Sequence, residues 1–82
     1  MSYDVDTLAR RSSINYTVDQ RIDRERGMVD LQGRIPRLTS LLGRVADAEA
    51  FNADPRETQT CLVQLAAAVH AWIEDIETEL AR

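Results

Sequence analysis

Residues 61–73 read CLVQLAAAVHAWI, an unbroken run without Asp, Glu, Arg, glycine or proline. At helical spacing Leu62, Leu65, Ala66, Val69, Ile73, Ile76 and Leu80 form one stripe, and Val63, Ala67, Ala71 and Trp72 widen it around most of the helix. A helix apolar on nearly all sides must be buried on nearly all sides. Two further helices of the same chain cover only part of that girth, so the sequence predicts a second copy and a homodimeric helical bundle. The small side chains of Ala66, Ala67 and Ala68 allow neighbouring helices to approach closely. Beyond Trp72 the run turns acidic with Glu74, Asp75, Glu77 and Glu79, and this end is expected in water.

Working outward from this run, Asp54-Pro-Arg-Glu57 supplies its start. Asp54 is a capping residue, Pro55 suits the first helical position, and Glu57 completes an acidic capping box near the positive helix end. Further upstream, Gly33-Arg-Ile-Pro36 predicts a break, because glycine can end one helix and proline suits the first turn of the next. A helix should then run to about Phe51. Its apolar positions are Ile35, Leu38, Leu41, Leu42, Val45 and Ala48, with Arg37, Arg44 and Asp47 directed outward or towards a cleft. Thr17-Val-Asp-Gln20 reads as a capping box opening an earlier helix, with Val18, Ile22 and Val29 on one face and Asp19, Arg21, Asp23, Arg24 and Arg26 mostly outward. Residues 1–13 hold few apolar anchors and are expected to form a flexible arm with at most one helical turn. The predicted fold is therefore all-α: an arm at 1–13, then a three-helix bundle domain at 14–82, completed by dimerisation.

Composition narrows the functional classes. With 82 residues and 44% hydrophobic content the chain holds one domain, whose small core leaves self-association as its main extra stabiliser. A single cysteine, Cys61, excludes an internal disulfide and a multi-cysteine zinc site. The net charge of −4, with every basic residue an arginine, gives no basic footprint for nucleic acid. No apolar run approaches the roughly 20 residues of a membrane span, and MSYDVDTLARR lacks the apolar core of a signal peptide, so a cytoplasmic location is expected.

The chemistry-bearing residues are sparse. Magnesium in a helical bundle needs carboxylates three or four residues apart on facing helices. Asp47 is suitably placed, Glu49 lies elsewhere around its helix, and the acids at 74–79 fall in the solvated end. No metal and no cofactor is therefore expected. His70, the single histidine, is about 13 Å along the axis from Cys61, so the two cannot act as a pair within one chain. His70 is expected to be partly buried and hydrogen-bonded, and Cys61 to be a small hydrophobe. Gly27, Gly33 and Gly43 are isolated, which excludes a glycine-rich phosphate loop.

Two stretches carry a family likeness. RIPRLTSLLGRVADAEAF at 34–51 and TQTCLVQLAAAVHAWIEDIE at 60–77, with VDQRIDRERG at 18–27 as a weaker third, resemble the two metal helices and the leading helix of MazG-like all-α nucleotide pyrophosphohydrolases, especially short phage-type members. In that family Glu-Glu-x-x-Glu on the first helix and Glu-x-x-Asp on the second hold magnesium against a nucleoside triphosphate. Carried over, these motifs fall on Gly43, Arg44 and Asp47 and on Cys61 and Gln64, where only Asp47 is an acid. Arg44 would set positive charge beside the ion. The resemblance thus implies a bundle whose metal face has lost its ligands.

The function expected from these readings is a non-catalytic dimer acting by protein binding, such as a small phage-type regulator or inhibitor. Its candidate partner surface is Arg37, Arg44, Asp47 and Gln64. Its expected dimer and core positions are Leu38, Leu42, Val45, Leu62, Leu65, Ala66, Val69, Trp72, Ile73 and Ile76. Its partners would be itself and an unidentified protein, with no nucleic acid and no membrane. Two alternatives are a magnesium-dependent pyrophosphohydrolase with an atypical site built from Asp47, Glu49 and the acids at 74–79, and a purely structural oligomerisation module.

Overall fold

A computed structural model describes residues 5–51 and 54–82. Three helices, α1 (Val5–Gln32), α2 (Arg34–Ala50) and α3 (Pro55–Leu80), make up this all-α bundle, with no strand among the described residues. Each boundary has a local cause. Gly33 alone joins α1 to α2, with φ 90° and ψ 154°, a backbone region that is essentially glycine's own. Its N–H donates to the Val29 carbonyl at 2.7 Å and its carbonyl accepts from the Arg37 N–H at 3.1 Å, so one residue closes one helix and opens the next. At the start of α3 the Asp54 carboxylate accepts from the Arg56 N–H at 2.9 Å, with Pro55 in the first turn, as the sequence predicted.

α3 is the central element. Both other helices pack along it and meet each other much less. Contacts near the two ends fix the directions: Arg26 reaches Glu74 while Thr17 and Thr60 line one groove, so α1 runs parallel to α3. Arg34 reaches Asp75 and Arg44 reaches Gln64, so α2 runs antiparallel to it. The core is narrow, consisting of Val18 and Ile22 from α1, Leu41 from α2, and Ala67, Ala68 and Ala71 from α3.

Several expectations are corrected. The arm expected at 1–13 is helical from Val5, and residues 1–4 lie outside the described part. Thr17 consequently sits mid-helix and caps nothing. Its hydroxyl donates back to the Ser13 carbonyl at 2.9 Å, and the Gln20 amide donates to the Tyr16 hydroxyl at 2.7 Å, local bonds available on any continuous helix. Val5, Leu8, Ile14 and Tyr16 remain exposed, so this half of α1 stands clear of the core.

The core positions are corrected too. Leu38, Val45, Leu65, Ala66 and Trp72 are half-buried, whereas Ile35, Leu42, Leu62, Val69, Ile73, Ile76 and Leu80 are exposed in the protomer. The helix wheel accounts for this. Ala67, Ala68 and Ala71 lie on the side of α3 opposite Leu62, Val69, Ile73 and Ile76. The alanine side lets two helices come close to the α3 backbone, and once it is covered the larger aliphatic side is left outward.

Candidate association surface

The inner side of α3 carries a polar belt at its acidic end. Arg26 donates to Glu74 at 2.7 Å and lies 3.5 Å from Asp75, while Arg34 donates to Asp75 at 3.0 Å. The hydrogen bond to Glu74, aided by the charges of Asp75, Glu74 and Asp23, holds the Arg26 guanidinium above its ordinary pKa against an opposing desolvation. Arg34 also stacks over Trp72, 5.4 Å from the ring centre. Glu74 and Asp75 are therefore structural partners of α1 and α2, and Arg26 turns inward, both contrary to the sequence expectation. Glu77 and Glu79 are exposed.

A second polar contact is buried. Arg37 donates through Nε and Nη2 to the two carboxylate oxygens of Glu25, at 2.8 and 2.9 Å. Both residues are almost wholly enclosed, at 5% and 2% exposure. Arg37 is thereby removed from the candidate partner surface. Its burial follows from the opposing carboxylate, since a guanidinium is enclosed at tolerable cost only when paired in this bidentate way. Glu25 is the functional-looking residue that the sequence reading missed, although it shares the spacing of Val18, Ile22 and Val29.

Of the positions onto which the metal motifs were carried, Arg44 and Gln64 face each other across two helices. Arg44 Nη1 lies 3.5 Å from Gln64 Oε1, at the outer limit of a hydrogen bond. Gly43 and Asp47 are exposed on α2, and Cys61 is half-buried one turn before Gln64. A side chain at Gly43 would meet nothing within 4 Å. Among the described residues no three His, Cys, Asp or Glu side chains are grouped to hold a metal. The antiparallel run of α2 explains why Asp47 and the acids at 74–79 do not join: Asp47 lies near the Gln64 end, about 20 Å along the axis from the Arg34–Asp75 end. His70 is exposed, not partly buried as expected.

Enclosed space is scarce. A void of about 10 Å³ lies between Leu38, Ala68 and Trp72, smaller than any organic ligand. A groove of about 200 Å³ beside Ser13, Thr17, Arg21 and Gln59 opens to solvent.

The largest unexplained feature is apolar. On the outer side of α3 Leu62, Val69, Ile73 and Ile76 are 39–47% exposed and Leu80 is 81% exposed, with Leu65 half-buried among them. Their spacing gives a continuous stripe about 27 Å long. Contiguous aliphatic surface of this kind marks association sites in soluble proteins. No described helix is long and apolar enough to cross a membrane. Comparison with protein-family models, with curated proteins and with solved structures finds no match, so the surface itself carries the functional reading.

Proposed function

We propose that this chain is a protein-binding helical module that works by association rather than catalysis. The observation that carries the reading is the division of α3: its alanine side is used up within the protomer, while its larger aliphatic side faces outward. Apolar surface removed from water contributes about 25 cal/mol per Å², so this exposed stripe is where binding free energy is available. The exposed Arg44 and Asp47 and the half-buried Gln64 offer a separate polar contact for a further partner in the manner of a small cytoplasmic regulator, as the MazG-like resemblance also suggests. That resemblance supplies a phage-type setting as part of the same proposal. The Arg44–Gln64 approach supports it only in placing two of the carried-over positions side by side.

The test is a paired capture experiment, with the native chain and a Val69→Glu/Ile73→Glu variant as baits. Partners held by the native chain and lost by the helical, folded variant would support the reading. Identical capture by both baits would overturn it. Magnesium or manganese at millimolar concentration should leave the melting temperature unchanged. A saturable rise would instead reveal a filled metal site and point to the hydrolase.

A further inference from the structure

The outer stripe of α3 has a property that selects its occupant. Its residues are spaced almost symmetrically about the level of Ala71: Leu62 and Leu80 at the ends, Leu65 and Ile76 inside them, Val69 and Ile73 at the centre. A helix with such a stripe is complementary to itself when reversed, the requirement of an isologous two-fold contact. We propose that the stripe is covered by the same stripe of a second copy, running antiparallel about a two-fold axis level with Ala71. This rests on the reading of α3 as the association surface. Leu62 then packs near the partner's Leu80, Leu65 near the partner's Ile76, and Val69 near the partner's Ile73.

Charge selects the same direction. No Asp or Glu lies between Glu57 and Glu74, whereas Glu74, Glu77 and Glu79 crowd the C-terminal end. Glu74 is held on the inner side by Arg26, but a parallel pair would set Glu77 and Glu79 each beside its own copy, a like-charge arrangement that opposes association. The antiparallel pair sets them beside the uncharged first half of the partner's helix and also opposes the two helix dipoles favourably.

The protomer is also open for its mass. The chain exposes 6248 Å², whereas a compact monomer of 9.3 kDa exposes about 5,000 Å². The excess of about 1,300 Å² is spread over the whole chain, the outlying first half of α1 as well as the outer side of α3. The radius of gyration of 14.6 Å against about 12 Å for a compact chain of this length describes the same open shape.

The native Cys61 provides the test, since it is the single cysteine and sits near one end of the stripe. Spin labels on Cys61 should lie about 30 Å apart along the axis in the antiparallel pair. In a parallel pair they would be level, separated by about one interhelical distance of roughly 10 Å plus the labels. A label moved near the axis, in a Cys61→Ser/His70→Cys variant, should give a short distance. Long from Cys61 and short from residue 70 supports the proposal; short from both means a parallel pair, and long from both a different interface, either of which overturns it. Sedimentation should show a dimer that Val69→Glu/Ile73→Glu weakens by about 100-fold or more. A native chain that is monomeric at all accessible concentrations overturns the second copy. If the same monomer still loses captured proteins on Val69→Glu/Ile73→Glu, the binding-module reading survives that loss.

Discussion

The two sides of α3 differ more in shape than in polarity. Its inner side presents Ala67, Ala68 and Ala71, each at most 2% exposed, to both other helices. Its outer side presents Leu62, Val69, Ile73 and Ile76, which are more hydrophobic and yet remain in solvent. Hydrophobicity alone would have turned the helix the other way. What the difference teaches is that a thin protomer is closed by backbone proximity and ion pairs at the small side, leaving the larger side for association.

The strongest way to break this comparison is to attack the polar pair that accompanies the inner packing. Glu25→Ala leaves the Arg37 guanidinium buried without its carboxylate and should cost about 3–5 kcal/mol in denaturant unfolding. An apolar double substitution, Glu25→Met/Arg37→Leu, should recover most of that loss, because it removes both desolvated charges. Failure of the double variant to recover would show that the pair also sets the register between α1 and α2.

Next in size is the inner side itself. Ala71→Leu should lower stability by about 1–3 kcal/mol through overpacking, although the same change on an isolated helix would be nearly neutral. Gly33→Ala should cost a similar amount, about 1–3 kcal/mol, for a conformational reason. The added Cβ would be in ordinary contact with Pro36 at 3.5 Å, so the loss comes from the φ of 90° and not from a clash. Thermal unfolding of both variants against the native chain checks these values.

The smallest effect on the protomer belongs to the outer side. Val69→Ser/Ile73→Ser should change stability by no more than about 1 kcal/mol at protein concentrations low enough to keep the chain monomeric. Its effect should grow with concentration. The native midpoint rises as association adds to stability by mass action, and the variant's does not. Equal losses on the two sides of α3 at low concentration would erase the distinction between them.

Much of this architecture was legible along the chain. Asp54 with Pro55 starts α3, and Gly33 separates α1 from α2, because caps and glycine conformations are settled by a few neighbouring residues. Val18 and Ile22 were placed on one buried face by spacing alone. The polar sites were less legible. Glu25 stands at a core spacing, and Arg37 was read as an outward residue, yet each is buried because of the other. Neither residue carries that information by itself. The same holds for Arg26 and Arg34, whose partners Glu74 and Asp75 lie more than 40 residues away and read as a solvated acidic end. The start of α1 was misread for the opposite reason: from Val5 to Tyr16 the helix forms with little burial, so hydrophobic pattern does not report it.

The sequence by itself determined that three helices form, where two of their boundaries fall, and that α3 is too apolar for its own protomer to cover. These follow from local backbone preference and from the count of apolar positions around one helix. Only the tertiary structure decided which side of α3 turns inward, which arginines are enclosed, and that Asp47 stands far from the acids of residues 74–79. Those outcomes depend on how closely backbones can approach and on which charges meet across helices, and both are properties of pairs of segments rather than of any one stretch of chain.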